Sequence, residues 1–589
     1  MKPLAFFLLL CSPLFSQQHP NVVLVMTDDQ GYGDLGCHGN PIIKTPCLDQ
    51  LYRESTVLTD YHVAPTCSPT RSALLTGHWT NRTGVWHTIQ GRSMLRENEV
   101  TIGQHLSSIY ATGMFGKWHL GDNYPYRPED RGFHEVYRHG GGGVGQTPDL
   151  WDNSYFDGHY FHNGSIVEAD GFCTDVFFQQ AKEFIKKSVA NHAPFFAYIA
   201  LNAPHGPLHA PQKYLDLYQD QKPNLAAFYG MITNIDENVG SIRSLLKELG
   251  VADNTIFIFT TDNGTASGAS VFNAGMRGQK GSEYDGGHRV PMFVHWPAGG
   301  LDKHRKIDTL CHAVDVVPTL LEVCEIPNES NVKFDGLSLK DLIDPQVEVQ
   351  WPNRFLITDS QRVIDPIKWR KSAVMSQRYR LVNGKELYQI HSDPGQKKDL
   401  SAIYPEIVSE MRAFYEQWWA ELEPTFTQTT EIHLGHPKHP KVTLTAHDWL
   451  NTSPPWNQGH IRKAAGAEKK RFEGHWAIKV LKEATYKISL LRWPEEAAHP
   501  ITAPLPAGRN VPGATKAFRT NQGAALPITS ASLRVNGHTI ASKEVGQNDV
   551  AISFITKLPK GSHQLSPVFH SKKGETGAFY CIVESIEPQ

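Results

Sequence analysis

The run Thr255-Ile256-Phe257-Ile258-Phe259-Thr260-Thr261, followed at once by Asp262-Asn263-Gly264, decides the fold. Uncharged, β-branched and aromatic throughout, it predicts a strand buried on both faces, as strands of parallel sheets are. Just upstream, Met231, Ile232, Ile235, Val239, Ile242, Leu246 and Leu249 recur at helical spacing and the pattern stops at Gly250, which predicts a helix over Phe228–Leu249. Moving outward, the alternation repeats. Thr174–Val189 carries Val176, Phe177, Phe184 and Ile185 on one helical face and precedes the apolar strand Phe195–Leu201, and Asn21–Thr27 is a further strand of the same kind. Strands alternating with helices predict an α/β architecture, with a mostly parallel central sheet and helices on both faces.

In such sheets ligands collect beyond the strands' carboxyl ends. There the sequence places Asp28-Asp29 after Asn21–Thr27, His205 in Asn202-Ala203-Pro204-His205, and Asp262-Asn263 after Thr255–Thr261. Adjacent carboxylates at a strand end are costly unless a cation lies between them. Three carboxylates and an amide oxygen form a hard, oxygen-only donor set that suits calcium, with magnesium as the alternative, rather than zinc. Two further clusters carry chemistry. Gly113-Met114-Phe115-Gly116-Lys117-Trp118-His119-Leu120-Gly121 predicts a short strand, and if it stays extended Lys117 and His119 project to one side, an ammonium beside an imidazole. In Cys67-Ser68-Pro69-Thr70-Arg71, Ser68 suits an N-cap and Pro69 a first helical position, so a helix is predicted from Thr70, with Cys67 at its positive end and Arg71 alongside. Thr45-Pro46 predicts another helix, running through Leu58.

Cys67-x-Pro69-x-Arg71 with Thr76-Gly77 resembles the signature of the formylglycine-dependent sulfatases, arylsulfatase-like members of the alkaline phosphatase superfamily. Gly116-Lys117-Trp118-His119, Lys280 ahead of Asp285-Gly286-Gly287-His288-Arg289-Val290-Pro291, the helix at Val314–Leu320 and the closing hairpin near Glu386–Gln389 resemble further blocks of that family. The likeness therefore runs from residue 20 to 425, with one departure: Asp285 occupies the family's usual glutamate, and Asp285 and Arg289 are read as structural.

The resemblance implies that Cys67 is oxidised to 3-oxoalanine (formylglycine) by a formylglycine-generating maturation enzyme. It also implies that Asp28, Asp29, position 67, Asp262 and Asn263 hold calcium. Cys67, Arg71, Lys117, His119, His205 and Lys280 would form the catalytic set, with Lys117, His205 and Lys280 on the sulfate and Arg71 orienting the modified residue. The implied activity is that of a sulfuric ester hydrolase, EC 3.1.6.-. The aldehyde hydrates to a gem-diol, and one hydroxyl attacks sulfur with Asp262 as base. His205, helped by Lys280, protonates the leaving alcohol, and His119 takes the proton that lets sulfate depart. Two rivals stand beside this reading. A phosphonate or phosphodiester hydrolase on the same fold is one, because a phosphate monoester would balance the site's charge equally well. A catalytically silent, glycan-binding sulfatase-like protein is the other.

Met1-Lys2-Pro3 and the apolar run Leu4–Phe15 predict a signal peptide over 1–17, too short to span a membrane, and hence a secreted or periplasmic protein. Cys11 invites a lipoprotein reading, but Leu10 stands where a small residue precedes a lipidated cysteine, which argues against an anchor. No later stretch predicts a transmembrane segment. A net charge of -3, from 57 Lys+Arg and 60 Asp+Glu with no long basic run, gives no indication of nucleic acid binding. The 8 cysteines include no CxxC pair; Cys37 with Cys47, or Cys311 with Cys324, could bridge in an oxidising compartment, but the sequence assigns no partners and most are read as small buried residues.

Trp151, Tyr155, Phe156, Tyr160 and Phe161, among Asp149, Asp152, Asn153 and Asp157, suit a sugar-stacking rim or a packed insertion, the latter favoured. Near Pro437, His439 and Pro440 the character changes to short alternating runs such as Ala531–Gly537. We expect a catalytic domain over 18–438 and a β-sandwich-like accessory domain over 439–589. Trp449, Trp456, Trp476 and Trp493 are read as its core, so it is expected to wall one side of the site rather than to bind glycan. A sulfated sugar or another sulfate ester is the expected substrate.

Overall fold

The computed structural model describes residues 19–450, 453–463, 472–508, 511 and 522–586; the expected signal segment 1–17, with Cys11, lies outside them. Asn21–Thr27 runs through the middle of a sheet of ten strands among these residues. It pairs in parallel with Phe195–Ala200 on one side and with Thr255–Thr261 on the other, and the parallel series continues through Ala111–Gly116 to Glu135–Arg138. Antiparallel strands lie beyond it on both flanks: Met292–His295 next to Thr255–Thr261, and the hairpin of Phe156–His162 and Ser165–Phe172 next to Glu135–Arg138.

The period of two sends side chains to both faces. Val22, Leu24 and Met26 join a core with Leu74, Trp86 and Leu320, whereas Val23 and Val25 join one with Leu48, Phe177 and Ile235. All five strand residues are at most 1% exposed, and full burial of each side chain is worth about 1.5–3 kcal/mol. Helices Cys67–Thr76, Val316–Val323 and Pro405–Leu422 cover the first core, and Pro46–Arg53, Cys173–Ala190 and Pro223–Glu248 cover the second. The sheet with helices on both faces is the architecture expected from the sequence.

Two local expectations are corrected. The helix from Pro46 ends at Arg53, and Thr56–Leu58 instead forms a strand between Met292–His295 and Arg305–Ile307. Its β-branched Thr56 and Val57 gain more from pairing at the sheet than from prolonging a helix. The long helix starts earlier than Phe228, at Pro223, because a proline suits the first turn, where its missing N–H costs nothing. The described cysteines are free thiols, and Cys67, Cys173, Cys311, Cys324 and Cys581 are buried, in line with the reading of most as small buried residues. Cys47 packs toward Gly240 rather than Cys37, and Cys311 lies on a strand beside Tyr61 while Cys324 caps the helix Val316–Val323.

Leu356–Asp359, Ser372–Met375, Tyr379–Val382 and Glu386–Gln389 then form an antiparallel sheet that includes the expected hairpin. The remaining strands make two packed β-sheets around Leu444, Trp449, Trp476, Ile488 and Leu533. Ile432–Leu434 is already part of them, pairing with Trp476–Val480 ahead of the expected boundary at 439. Trp449, Trp476 and Trp493 are at most 1% exposed and act as core, whereas Trp456 is only half-buried and lies outside it, its ring against His460. This unit is tied to the α/β part. Gln458 Nε2 donates to the carbonyls of Gln146 (3.2 Å) and Leu150 (3.0 Å), and Gln90 N–H donates to His447 O (2.9 Å).

Candidate active site

The parallel strands deliver their polar ends to one crevice. Cys67 is the first residue of its helix, capped by extended Thr66, so the helix begins earlier than Ser68-Pro69 suggests. Proline is tolerated there because N–H groups of the first turn have no acceptor within the helix. The thiol, 3% exposed, therefore stays at the positive end. Its sulfur and carboxylate oxygens of Asp28 and Asp262 all lie within 4.8 Å of one another; Asp28, Asp29 and His205 form a second such group.

Ionic contacts knit these residues together. Lys117 Nζ is 2.6 Å from Asp28 Oδ2, Lys280 Nζ 2.5 Å from Asp29 Oδ1, and His205 Nε2 3.8 Å from Asp29 Oδ2. Arg71 donates to Asp262 Oδ2 through Nε (3.1 Å) and Nη2 (2.8 Å), and to the carbonyls of Lys117 (2.8 Å) and Leu201 (3.2 Å). Asp29 N–H donates to Asp262 Oδ1 (3.2 Å), and Asn263 Nδ2 donates to Asp29 Oδ1 (2.9 Å). One arginine thus fixes a helix start against the ends of three strands.

Burial governs the charges. It pushes Asp262 up to about 6, reinforced by Asp28 and opposed by Arg71, and it raises Asp28 against the pull of Lys117. Burial would raise Asp29 too, but the Lys280 ammonium, His205 and the Asn263 amide outweigh it and hold Asp29 well below the usual carboxylate range. Burial, then Lys280, brings His205 down to about 4.

His119 corrects another expectation. Its φ of 61° turns the chain, so the segment after Gly116 is not extended and Lys117 and His119 enter the crevice separately. The imidazole packs where Gly142 has no side chain: a Cβ there would stand 2.1 Å from His119 Cε1. Nε2–H donates to Thr88 O (2.9 Å), which leaves Nδ1 as a buried acceptor with no partner among the described residues. Burial, then the charge of Lys117, holds this ring neutral. His205 is set by the same logic: Nδ1–H donates to Gly206 O (2.7 Å), leaving Nε2 toward Asp29.

The donor set fits a hard cation. Oδ1 of Asp28 and Oδ1 of Asn263 are buried and accept no hydrogen bond among the described residues, an arrangement that costs free energy unless a positive charge meets it. A third cluster, His62, Asp285 and His288, is structural instead. Arg380 reaches Asp285 (3.2 Å) and Asp60 (2.6 Å), supplying the charge, and Arg289 Nε donates to Thr59 O (2.8 Å).

Asp28, Asp29, Cys67, Arg71, Lys117, His119, His205, Asp262, Asn263 and Lys280 therefore meet in one place. The aromatic stretch is packed at its centre, with Trp151, Phe156 and Phe161 half-buried around it. Tyr155 and Tyr160 are fully buried, and Asp149 accepts N–H bonds from Gly140 (3.1 Å) and Gly145 (2.9 Å), so the insertion is packed. Three contributors carried no local sequence signal: Gly142 behind His119, Thr88 as its acceptor, and His447 of the C-terminal part, whose ring lies 6.1 Å from His119.

Comparison with known proteins agrees with this geometry. Residues 20–326 match the Sulfatase family model, and residues 279–422 match the model described as N-sulphoglucosamine sulphohydrolase, C-terminal. Human arylsulfatase A is 30% identical over 373 residues, 58% of this chain and 71% of that protein. Human N-acetylgalactosamine-6-sulfatase is 33% identical over 352 residues, 55% of this chain and 65% of that protein. The crystal structure of Ps i-CgsB superposes with a TM-score of 0.62 at 27% identity, covering 68% of this chain and 93% of that one. Fold, crevice and family match converge, and the chain belongs to the sulfatase family of sulfuric ester hydrolases, within the alkaline phosphatase superfamily.

Proposed function

We propose that the protein hydrolyses a sulfate monoester of a carbohydrate to an alcohol and inorganic sulfate, using formylglycine made from Cys67 by a maturation enzyme and a calcium ion. The observation that carries this reading is the position of Cys67 at a helix start, within 4.8 Å of two buried carboxylates. Asp28, Asp29, Asp262 and Asn263 would hold the cation, whose charge would ease loss of a proton from the hydrated aldehyde and polarise the sulfuryl group. The aldehyde supplies a geminal pair of hydroxyls, one to attack and one to release sulfate, which a serine could not.

The chain's own residues do the rest. Lys117 and Lys280 are poised to bind sulfuryl oxygens, at a point where two carboxylates otherwise hold them. Arg71 fixes Asp262, leaving its raised carboxyl able to accept a proton. His205 Nε2 faces the crevice, beside Lys280 as proton source, for the leaving oxygen. His119 Nδ1, unpartnered and neutral, accepts the second hydroxyl's proton.

Two relatives support a sugar substrate, one named N-acetylgalactosamine-6-sulfatase and one solved in complex with k-i-k-neocarrahexaose. We also propose export through the 1–17 segment; no helix among the described residues is long and apolar enough to cross a membrane. The test is a paired assay of protein co-expressed with a formylglycine-generating enzyme, on 4-nitrophenyl sulfate and on bis(4-nitrophenyl) phosphate. Sulfate release that disappears in Cys67→Ala and after chelation is expected; faster turnover of the phosphodiester would overturn the reading.

A further inference from the structure

The loop 360–371 borders the crevice; Lys368 pairs with Glu416 at 2.7 Å, but no acid among the described residues neutralises Arg362 or Lys371. Arg362 is exposed, and among the described residues no hydrogen bond or ion pair engages its guanidinium. Its φ of 43° is one that side-chain-bearing residues seldom adopt, and its N–H is fixed to Trp86 O at 3.1 Å. Nη1 stands 4.0 Å from where a Cβ on Gly281 would sit, and outside Lys280 and Ser282 no other atom comes that close there. Gly281 directly follows Lys280, and the side chain it lacks leaves that space open. Lys371 Nζ reaches Gly281 O at 3.4 Å from the same loop.

On the other side lies His87. Its Nδ1 accepts the Thr88 N–H at 2.6 Å, so the proton sits on Nε2, which has no acceptor among the described residues. Burial, and then the charge of Arg362, holds this ring down at about 3. Arg362, bonded to Trp86 O, is therefore a neighbour of His87, and each touches the pocket by a different route: His87 directly precedes Thr88, the acceptor for His119, and Arg362 stands against Gly281, the residue after Lys280.

The loop is rigidly braced. Buried Gln361 bonds Asp359 (2.9 Å) and exchanges two bonds with Ile367 (3.1 and 2.9 Å), and Arg370 Nε donates to Gln361 O (2.7 Å). Its acids face elsewhere: Asp365, 78% exposed, turns to Arg92 at 3.7 Å, and Asp359 is taken up by Gln361 and Asn81. What remains is a preformed set of donors, a guanidinium, an imidazole N–H and an ammonium, that has no use in binding the sulfate to be cleaved.

We infer that Arg362, with His87 and Lys371, binds a second anionic group of the substrate, a sulfate or carboxylate on the same sugar or its neighbour, so that polyanionic glycans are selected over singly sulfated ones. This inference rests on the sulfatase reading above. It is tested with mature protein and Arg362→Gln on three sugars: N-acetylgalactosamine 6-sulfate, its 4,6-disulfate, and a 6-sulfated disaccharide bearing a uronate. The expected result is a fall in kcat/KM about tenfold larger on a dianionic sugar than on the monosulfate, expressed in KM, with Arg362→Lys restoring part of it. Which dianionic sugar responds identifies the source of the second charge. Affinities of the same three sugars for Cys67→Ala protein, with and without Arg362→Gln, read this selectivity without turnover, so a failure of the hydrolytic reading is seen separately. Equal losses on all three sugars, in turnover and in affinity, would overturn the inference.

Discussion

Arg71 and Asp262 form a wholly buried ion pair, Nη2 to Oδ2 at 2.8 Å, that joins the start of the Cys67 helix to the end of the Thr255–Thr261 strand. Both side chains are 0% exposed, so neither charge has water to fall back on. Arg71→Ala should therefore cost about 3–5 kcal/mol of stability, the penalty for leaving a buried charge uncompensated. Arg71→Lys should recover only part, because one ammonium cannot also serve the carbonyls of Lys117 and Leu201. Urea denaturation of the two variants checks both the size and the order.

Lys117 and Lys280 should part company in the same assay. Both should lower kcat by about 10²–10³ when changed to Met, as removal of a preorganised oxyanion donor does. Their stability effects should differ, since Lys117 pairs with Asp28 at 0% exposure while the Lys280 side chain is 20% exposed. Lys117→Met should be the clearly less stable protein; equal unfolding midpoints would contradict the burial argument.

Gly142→Ala isolates His119. The added methyl would stand 2.1 Å from Cε1 and 2.2 Å from Nε2 of that ring, so the imidazole must leave its place on Thr88. Turnover should fall by about 10²–10⁴, the usual worth of a positioned acid or base, with circular dichroism retained and about 1–3 kcal/mol of stability lost to overpacking. Parent-like turnover would remove His119 from the mechanism.

The fold should also be acid-labile, and His139 reports on why. It is fully buried, donates Nδ1–H to Gly140 O at 2.8 Å, and is held at about 3 by burial, with the Gly140 bond opposing and Lys117 adding. An unfolded histidine titrates near about 6.5. Between those values the unfolded chain takes up a proton that the folded one refuses, so stability falls with falling pH by about 1.4 kcal/mol per pH unit for each such ring. His139→Asn, which keeps a donor for Gly140, should flatten the slope of stability against pH between pH 6.5 and 4 by that amount; an unchanged slope would refute the assignment.

Much of this was legible in the sequence because a parallel sheet couples two signals. Apolar runs fix the strands, and the polar residue just past each run is then at a carboxyl end. Asp28, His205 and Asp262 were found in this way. The start of the Cys67 helix was misplaced because Ser68-Pro69 obeys local capping preference, whereas Thr70 N–H donates to Thr66 O at 3.2 Å and closes a first turn that begins at Cys67. Asp149 and Tyr155 were ambiguous for a different reason: composition cannot tell a buried aromatic from one offered to a sugar. His447, Thr88 and Arg362 were invisible. They reach the crevice from distant segments, and only tertiary folding brings them within reach of His119 and Lys280.

The most direct test of the central claim is the mass of the tryptic fragment Glu54–Arg71 from protein co-expressed with a formylglycine-generating enzyme, read beside its sulfatase activity. Exchange of the thiol for an aldehyde should make the fragment lighter by about 18 Da. Sulfate release should rise with the modified fraction and vanish on chelation, returning with calcium. A fragment that keeps its thiol mass in protein releasing sulfate at full rate, or activity indifferent to chelation, would contradict the account.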